Sequence, residues 1–147
     1  MEILPRKKLR CLLIDSDVSE LRGVARIIVN HPDLELVNSC RTGRSAVNLL
    51  KKTMVDFIMI NPALPDTNGF DLVASLPNPP VVVIISDRQD YAYYAFRIQA
   101  LDYRLKPITP EILRLVVARV HTHLQMKQAL LKMQASENMV ALAETLK

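Results

Sequence analysis

The fold is decided by the stretch DFIMINPALPDTNG at residues 56–69. Its beginning, Asp56–Ile60, is a short apolar run typical of a strand that is buried on both faces. Asn61 then opens a segment rich in Pro, Asp, Asn and Gly, which predicts a loop. A buried strand that runs directly into a polar loop places a side chain at the carboxyl end of a sheet. In open α/β sheets this is the edge where ligands bind.

The same alternation of apolar runs and helical patterns extends to both sides of this stretch. Strands are predicted at Leu9–Ile14, Leu34–Cys40, Asp56–Ile60, Val81–Ile85 and Ala100–Leu105. Helices are predicted at Ser19–Asn30, at residues 42–50 with Thr42 as the cap, at Phe70–Leu76, at Tyr91–Ile98, and from Pro110 onward with Thr109 as the cap. Units of this length predict an α/β fold, a doubly wound parallel sheet of five strands with helices on both faces.

Composition limits the classes of protein to consider. Apolar residues make up 50% of the chain and charged residues 23%, the balance of a globular domain. The net charge of +4 is partly concentrated in residues 6–10, which we interpret as a solvated arm, because no pattern of a nucleic-acid recognition element accompanies it. Cys11 and Cys40 lie in apolar runs and are expected in the core. No run reaches membrane-spanning length, so we expect a cytoplasmic, reducing location without membrane contact.

Polar side chains follow four of the predicted strands at the point where each strand ends. They are Asp15 with its neighbour Ser16, then Asn61, Ser86 and Lys106. Because the carboxyl ends of parallel strands meet at one edge of a sheet, we expect these groups to converge. Each alone is ordinary loop chemistry, but together they suggest a site for a small charged group.

The residues around these four strand ends resemble the response-regulator receiver family. The matching stretches are LLIDSD at 12–17, DFIMIN at 56–61, LPDTNG at 64–69, VVIIS at 82–86 and DYRLKP at 102–107. The stretch YAYYAF at 91–96, followed by ALDY at 100–103, is similar in particular to receivers that precede LytTR-type DNA-binding domains. The resemblance implies a CheY-like, flavodoxin-like fold in a two-component signalling pathway. It covers residues 9–124, so we predict a receiver domain at 1–124 and a helical extension or linker at 125–147.

In that family the third strand ends in the aspartate that accepts the phosphoryl group, and here Asn61 holds this position. An amide is not a nucleophile of this kind, so the resemblance implies a pseudo-receiver rather than an enzyme, with no catalytic residue. The family's adjacent acids at the first strand correspond to Asp15 and Ser16, with Asp17 able to help only by turning inward. We therefore expect no resident cofactor, and only weak Mg²⁺ binding through Asp15.

The rest of this pseudo-active site has an expected structural role. We predict an ion pair between Lys106 and Asp15, surrounded by hydrogen bonds from Asn61 and Ser86. Ser86 and Tyr103 resemble the family's switch pair, which we expect to be held in one state or biased by a partner. Three residues with other chemistry, His31, His121 and His123, lack the spacing of a metal site and are expected at the surface.

Three functions remain open. The first is signalling by protein–protein contact, with a histidine kinase or output domain as partner and a homodimer through the fourth helix, fifth strand and fifth helix, or through the C-terminal helix. The second is a conventional phospho-receiver in which Asn61 is inactivating or is bypassed by Asp15 or Asp66. The third is a small-ligand sensor that uses the vacated acidic pocket.

The C-terminal segment carries an apolar stripe at helical spacing. Leu113, Val117, Val120 and Leu124 are expected to face the sheet, and the stripe resumes after Lys127-Gln128 as Leu131, Ala135, Met139, Leu142 and Leu146. Such a stripe beyond a compact domain should pair with a copy of itself or dock on another domain. The alternative is a frayed linker to a further domain.

Overall fold

Strands and helices alternate through residues 7–146, which are the residues described by the computed structural model. The strands are β1 (Leu9–Ile14), β2 (Leu34–Cys40), β3 (Phe57–Ile60), β4 (Val81–Ser86) and β5 (Asp102–Leu105). The helices are α1 (Val18–Val29), α2 (Gly43–Lys52), α3 (Gly69–Ser75), α4 (Ala92–Arg97) and α5 (Pro110–Thr145). All strand pairs are parallel and the sheet order is β2-β1-β3-β4-β5, so the predicted fold class is confirmed.

Two apolar layers cover the two faces of the sheet. On one face, Cys11 of β1 and Met59 of β3 pack with α1 and with the first turns of α5. On the other face, Leu12 of β1 and Ile58 of β3 pack with α2, α3 and α4. Because successive side chains of a strand point to opposite faces, a strand covered on both sides must be apolar throughout. This explains the unbroken apolar runs of β1, β3 and β4.

Strand β4 ends at Ser86, one residue later than predicted, and the starts of two other strands also differ from the sequence prediction. Asp56 lies outside β3, and its Oδ2 accepts a hydrogen bond of 2.7 Å from the backbone N–H of Arg10. At the other boundary, β5 begins two residues later than predicted because the chain first has to close α4. Gln99 adopts a left-handed φ of 58°, and Ala100 donates its N–H to the carbonyl of Ala95 at 3.0 Å. These contacts form a Schellman-type end to the helix.

Helix caps and core cysteines follow the sequence prediction. The side chains of Thr42 and Thr109 accept hydrogen bonds from the N–H groups of Ser45 and Ile112, at the starts of α2 and α5. Cys11 and Cys40 are both buried free thiols, and burial raises the pKa of each above its usual value. The lysyl-prolyl bond that follows β5 is cis.

The last helix is far longer than the domain needs. Helix α5 continues without interruption through Lys127-Gln128, and its first turns bury Leu113, Val116, Val117 and Val120 against the sheet. From Gln125 to Leu146 every side chain is exposed. Within residues 7–146, no helix is both long and apolar enough to cross a membrane.

Candidate functional site

The strand register brings the four predicted polar groups to one edge of the sheet. Ile14 of β1 lies level with Ile60 of β3, so the residues that follow them, Asp15 and Asn61, emerge side by side. The backbone N–H of Asn61 donates to the carbonyl of Ile14 at 2.9 Å. On the other side, the N–H of Lys106 donates to the carbonyl of Ser86 at 2.8 Å, which anchors the end of β5 to β4.

The predicted ion pair is present at the centre of this edge. Lys106 Nζ lies 2.7 Å from Asp15 Oδ2, and the two side chains are only 9% and 1% exposed. The approach angle is outside that of a hydrogen bond, so the attraction between them is mainly that of opposite charges. Glu20 Oε2, at 3.9 Å, is a second and more exposed carboxylate near the ammonium.

Asn61 is held by both ends of its amide group. Its Nδ2 donates to Asp15 Oδ1 at 3.3 Å, and its Oδ1 accepts from the N–H of Ala63 at 3.1 Å. If the Asn61 amide were rotated by half a turn, its oxygen would face the Asp15 carboxylate and its NH₂ would face the N–H of Ala63. The two partners therefore determine the orientation of the amide. Ser16 Oγ donates to the carbonyl of Ala63 at 3.2 Å. Both side chains therefore hold the loop that follows β3.

One part of the predicted network is wrong. The Ser86 hydroxyl was expected to hydrogen-bond around the ion pair, but it accepts a hydrogen bond of 3.0 Å from the N–H of Arg88. The hydroxyl of Tyr103 donates to the carbonyl of the same Arg88. The two residues of the predicted switch pair are thus linked through the backbone of Arg88, and Tyr103 stays partly exposed rather than enclosed in the core.

Two carboxylates near the edge have structural partners. Asp17 caps α1 by accepting from the N–H of Glu20 at 3.1 Å, so it does not turn into the site. Asp66 accepts from the N–H of Gly43 at 2.8 Å and from that of Arg44 at 2.9 Å, at the start of α2. These two hydrogen bonds lower the pKa of the Asp66 carboxyl below its usual value.

Arg88 is a residue that sequence reasoning missed. Its guanidinium binds Asp90 and lies 4.5 Å from the centre of the Tyr91 ring, on which Phe70 also packs. A single arginine in a polar loop has no sequence pattern that marks it as a site residue. Arg88 contacts Ser86 and Tyr103 through its backbone, and any residue type could make these contacts. Among the described residues, His, Cys, Asp and Glu form no group of three suited to a metal ion.

The comparison with known proteins agrees with this geometry. The model of the response regulator receiver domain family matches residues 11–118. This chain belongs to that family. The sensory transduction protein LytT of Bacillus anthracis is 27% identical to this receiver domain over 106 residues, which are 70% of this chain and 43% of LytT. The transcriptional regulatory protein BtsR of Salmonella typhi is 25% identical over 114 residues, or 76% of this chain and 48% of BtsR.

Solved receiver structures superpose on most of the chain. The receiver domain of AraT from Geobacillus stearothermophilus is 30% identical, with a TM-score of 0.72 over 82% of this chain and 98% of that one. The response regulatory domain of mrkE from Klebsiella pneumoniae is 21% identical, with a TM-score of 0.72 over 80% of this chain and 99% of that one. The receiver domain spans about half the length of the curated relatives it matches. It is the receiver domain of a two-component response regulator.

Proposed function

We propose that this receiver domain signals through protein contacts and does not accept a phosphoryl group at position 61. The observation that carries the proposal is the state of Asp15, whose two oxygens are engaged by Asn61 Nδ2 and Lys106 Nζ. The charge of Asp15 is thus balanced by Lys106, and its Oδ1 is hydrogen-bonded, by residues of the domain itself.

The chemistry of the acceptor position supports the proposal. In working receivers a carboxylate oxygen attacks phosphorus, the bond to the donor breaks, and an acyl phosphate forms. The lone pair of an amide nitrogen is delocalised into the carbonyl, and the amide oxygen carries no full negative charge. Asn61 therefore lacks the nucleophile, while its amide hydrogen bonds hold the loop in place.

The donor set does not fit Mg²⁺. This ion requires several oxygen ligands in octahedral geometry and loses its water reluctantly. Here Asp15 is a buried carboxylate, and Glu20 is a more exposed one on the far side of Lys106, whose ammonium stands 2.7 Å from Asp15 Oδ2, where a cation would have to approach. The hydroxyl of Ser16 and the Oδ1 of Asn61 already serve the backbone of Ala63.

The two alternative functions have less support. Asp66 is the obvious substitute acceptor, but both its oxygens are engaged by N–H groups of α2. Asp15 is buried with the ammonium of Lys106 at 2.7 Å from its Oδ2, so a small ligand that binds this carboxylate would have to displace the lysine. A thermal shift with a metabolite library would test the ligand-sensing alternative directly.

The proposed contact face consists of α4, β5 and the first turns of α5. It exposes Tyr93, Phe96, Leu105 and Leu115, an unusual number of large apolar side chains for a free surface. Leu115 lies one turn before Arg119, which binds Asp102 of β5, so it belongs to the same face. A histidine kinase, an output domain or a second copy are the proposed partners.

Intact mass after incubation with acetyl phosphate and Mg²⁺ tests the proposal. We expect no phosphoryl adduct on the natural chain and an adduct on Ser16→Asp/Asn61→Asp, which restores both missing carboxylates. The single variant Asn61→Asp separates loss of the nucleophile from loss of the metal ligand. Asn78→Asp, in an exposed loop, controls for nonspecific phosphorylation of a new carboxylate. A phosphoryl adduct on the natural chain would overturn the proposal.

A further inference from the structure

The exposed half of α5 is too apolar to be a free surface. Eight large apolar side chains between residues 126 and 146 are each more than half exposed: Met126, Leu130, Leu131, Met133, Met139, Val140, Leu142 and Leu146. Most helical stability in proteins comes from packing of an apolar face, and a large exposed apolar patch marks an interaction site. The question is which face is covered and by what.

One face continues the stripe that already packs on the sheet. Its members are Leu124, Gln128, Leu131, Ala135, Met139, Leu142 and Leu146, at spacings of four, three, four, four, three and four residues. Leu113, Val117 and Val120 precede them at the same spacing and are buried. This is an eleven-residue repeat, whose period of about 3.67 residues per turn stays close to that of an α-helix and favours a slight right-handed supercoil. The stripe contains no charge, whereas the opposite face carries Glu137 and Glu144.

The stripe from Leu124, which packs partly on the domain, to the exposed Leu146 is symmetric about Ala135. Leu124 and Leu146 are both eleven residues from Ala135, Gln128 and Leu142 are both seven, and Leu131 and Met139 are both four. Reversing the direction of the segment therefore reproduces the same spacing, and an apolar residue meets an apolar one at every position except where Gln128 meets Leu142. A two-fold dimer with antiparallel helices needs this self-complementarity.

We propose that residues 124–146 of α5 pair with the same segment of a second copy, antiparallel and centred on Ala135. In this register Leu131 faces Met139 of the partner subunit, and the two Ala135 side chains lie at the crossing point. Small side chains there let the two helices approach closely. The proposal is independent of whether the receiver site accepts a phosphoryl group.

The position of the receiver domain excludes the parallel arrangement. Leu113, Val116, Val117 and Val120 bury their side chains against the sheet on the same face of α5 that carries the stripe. A parallel, in-register partner on this face would occupy the volume of the domain itself. In the antiparallel arrangement the helices overlap only over residues 124–146, and each domain lies beyond the end of the overlap.

The size of the contact and a groove on the domain beside α5 agree with this pairing. The four large side chains at positions 131, 139, 142 and 146 would bury roughly 100 Å² each, or about 800 Å² from both copies. Flanking side chains bring this close to the roughly 1,000 Å² expected of a specific interface. The domain has a groove of about 380 Å³ beside α5, where the end of the partner helix would lie. The groove is lined by Leu9, His121, Leu124 and Gln128 among others.

Disulfide trapping tests the register. Cα atoms must approach within about 7 Å, so Ala135→Cys should cross-link to itself, and Leu131→Cys should cross-link to Met139→Cys in a mixture. Leu131→Cys alone should not, because two copies of that position would be separated by eight residues, or about 12 Å along the helix. The natural chain controls for Cys11 and Cys40, which are buried. Self-linking of Leu131→Cys, or no link in the mixture, would overturn the proposed register.

Sedimentation equilibrium of the full chain tests the dimer itself. We expect a reversible dimer whose dissociation constant rises at least about tenfold in Leu131→Gln, since each dimer loses two apolar contacts. Met133→Gln makes a comparable change on the opposite face of the helix and should change the constant less than about twofold. A monomer at high concentration would overturn the proposal.

Discussion

Replacing Lys106 with methionine tests how much the buried ion pair stabilises the fold. The change keeps a long side chain but removes an ammonium 2.7 Å from Asp15 Oδ2. At an effective dielectric constant of about 20, the attraction at this distance is about 6 kcal/mol before desolvation is considered. Removing one partner of a buried pair generally costs about 3–5 kcal/mol, and we expect a loss in this range.

The structure also predicts an asymmetry between the two partners. Without the lysine, Asp15 Oδ2 has no partner among the described residues, while Oδ1 keeps the N–H of Asp17 and Asn61 Nδ2. Without the carboxylate, Lys106 still has Glu20 within 3.9 Å and can extend towards solvent. Asp15→Asn should therefore cost at least about 1 kcal/mol less than Lys106→Met.

Urea denaturation followed by circular dichroism at neutral pH measures these losses. The double variant Asp15→Asn/Lys106→Met should be more stable than Lys106→Met alone, since it leaves no charge unpaired. A loss of less than about 1 kcal/mol for Lys106→Met, the value of a surface pair, would refute the argument. Strict additivity of the two single losses would also refute it, because the pair would then not be coupled.

Four further substitutions test other parts of the fold by urea denaturation. Gly69→Ala places a Cβ 2.7 Å from Pro62 Cα and should lower the free energy of unfolding by about 1–3 kcal/mol. Gly23 is at an exposed position of α1 and its added Cβ would meet no atom within 4 Å, so Gly23→Ala should raise the free energy of unfolding by about 1 kcal/mol. Gln99→Gly relieves a left-handed residue and should gain about 1 kcal/mol. Asp66 has a lowered pKa in the folded state, so its contribution is present at neutral pH and is lost as the pH falls below about 4. Asp66→Asn should therefore destabilise at neutral pH and converge with the natural chain in acid.

Periodicity was sufficient for the order of the elements. Three strands are recognisable in the sequence as apolar runs because both of their faces are covered: β1, β3 and β4. Two helix starts are recognisable because Thr42 and Thr109 cap them through local hydrogen bonds. The start of β5 was misplaced because the left-handed turn at Gln99 lacks the glycine that usually signals it. The local sequence therefore does not show where that strand joins the sheet.

The site was predictable in its members but not in its hydrogen bonds. Parallel strands end at one edge, so Asp15, Asn61 and Lys106 had to converge, and opposite charges in a buried place had to pair. Ser86 was assigned to the wrong partner because its hydroxyl had several donors within reach. The N–H of Arg88 became its partner through the path of the loop after β4.

By itself the sequence determined the fold class, the residues at the sheet edge and the presence of an amide where the family has a carboxylate. These follow from periodicities of two and 3.6 residues and from side-chain chemistry, which need no coordinates. Only the tertiary structure decided that Asp17 and Asp66 cap helices instead of entering the site. Only it decided, too, that the hydroxyl of Tyr103 donates to the backbone carbonyl of Arg88. Both depend on which distant groups the packed chain brings within contact distance, and no local pattern encodes those distances.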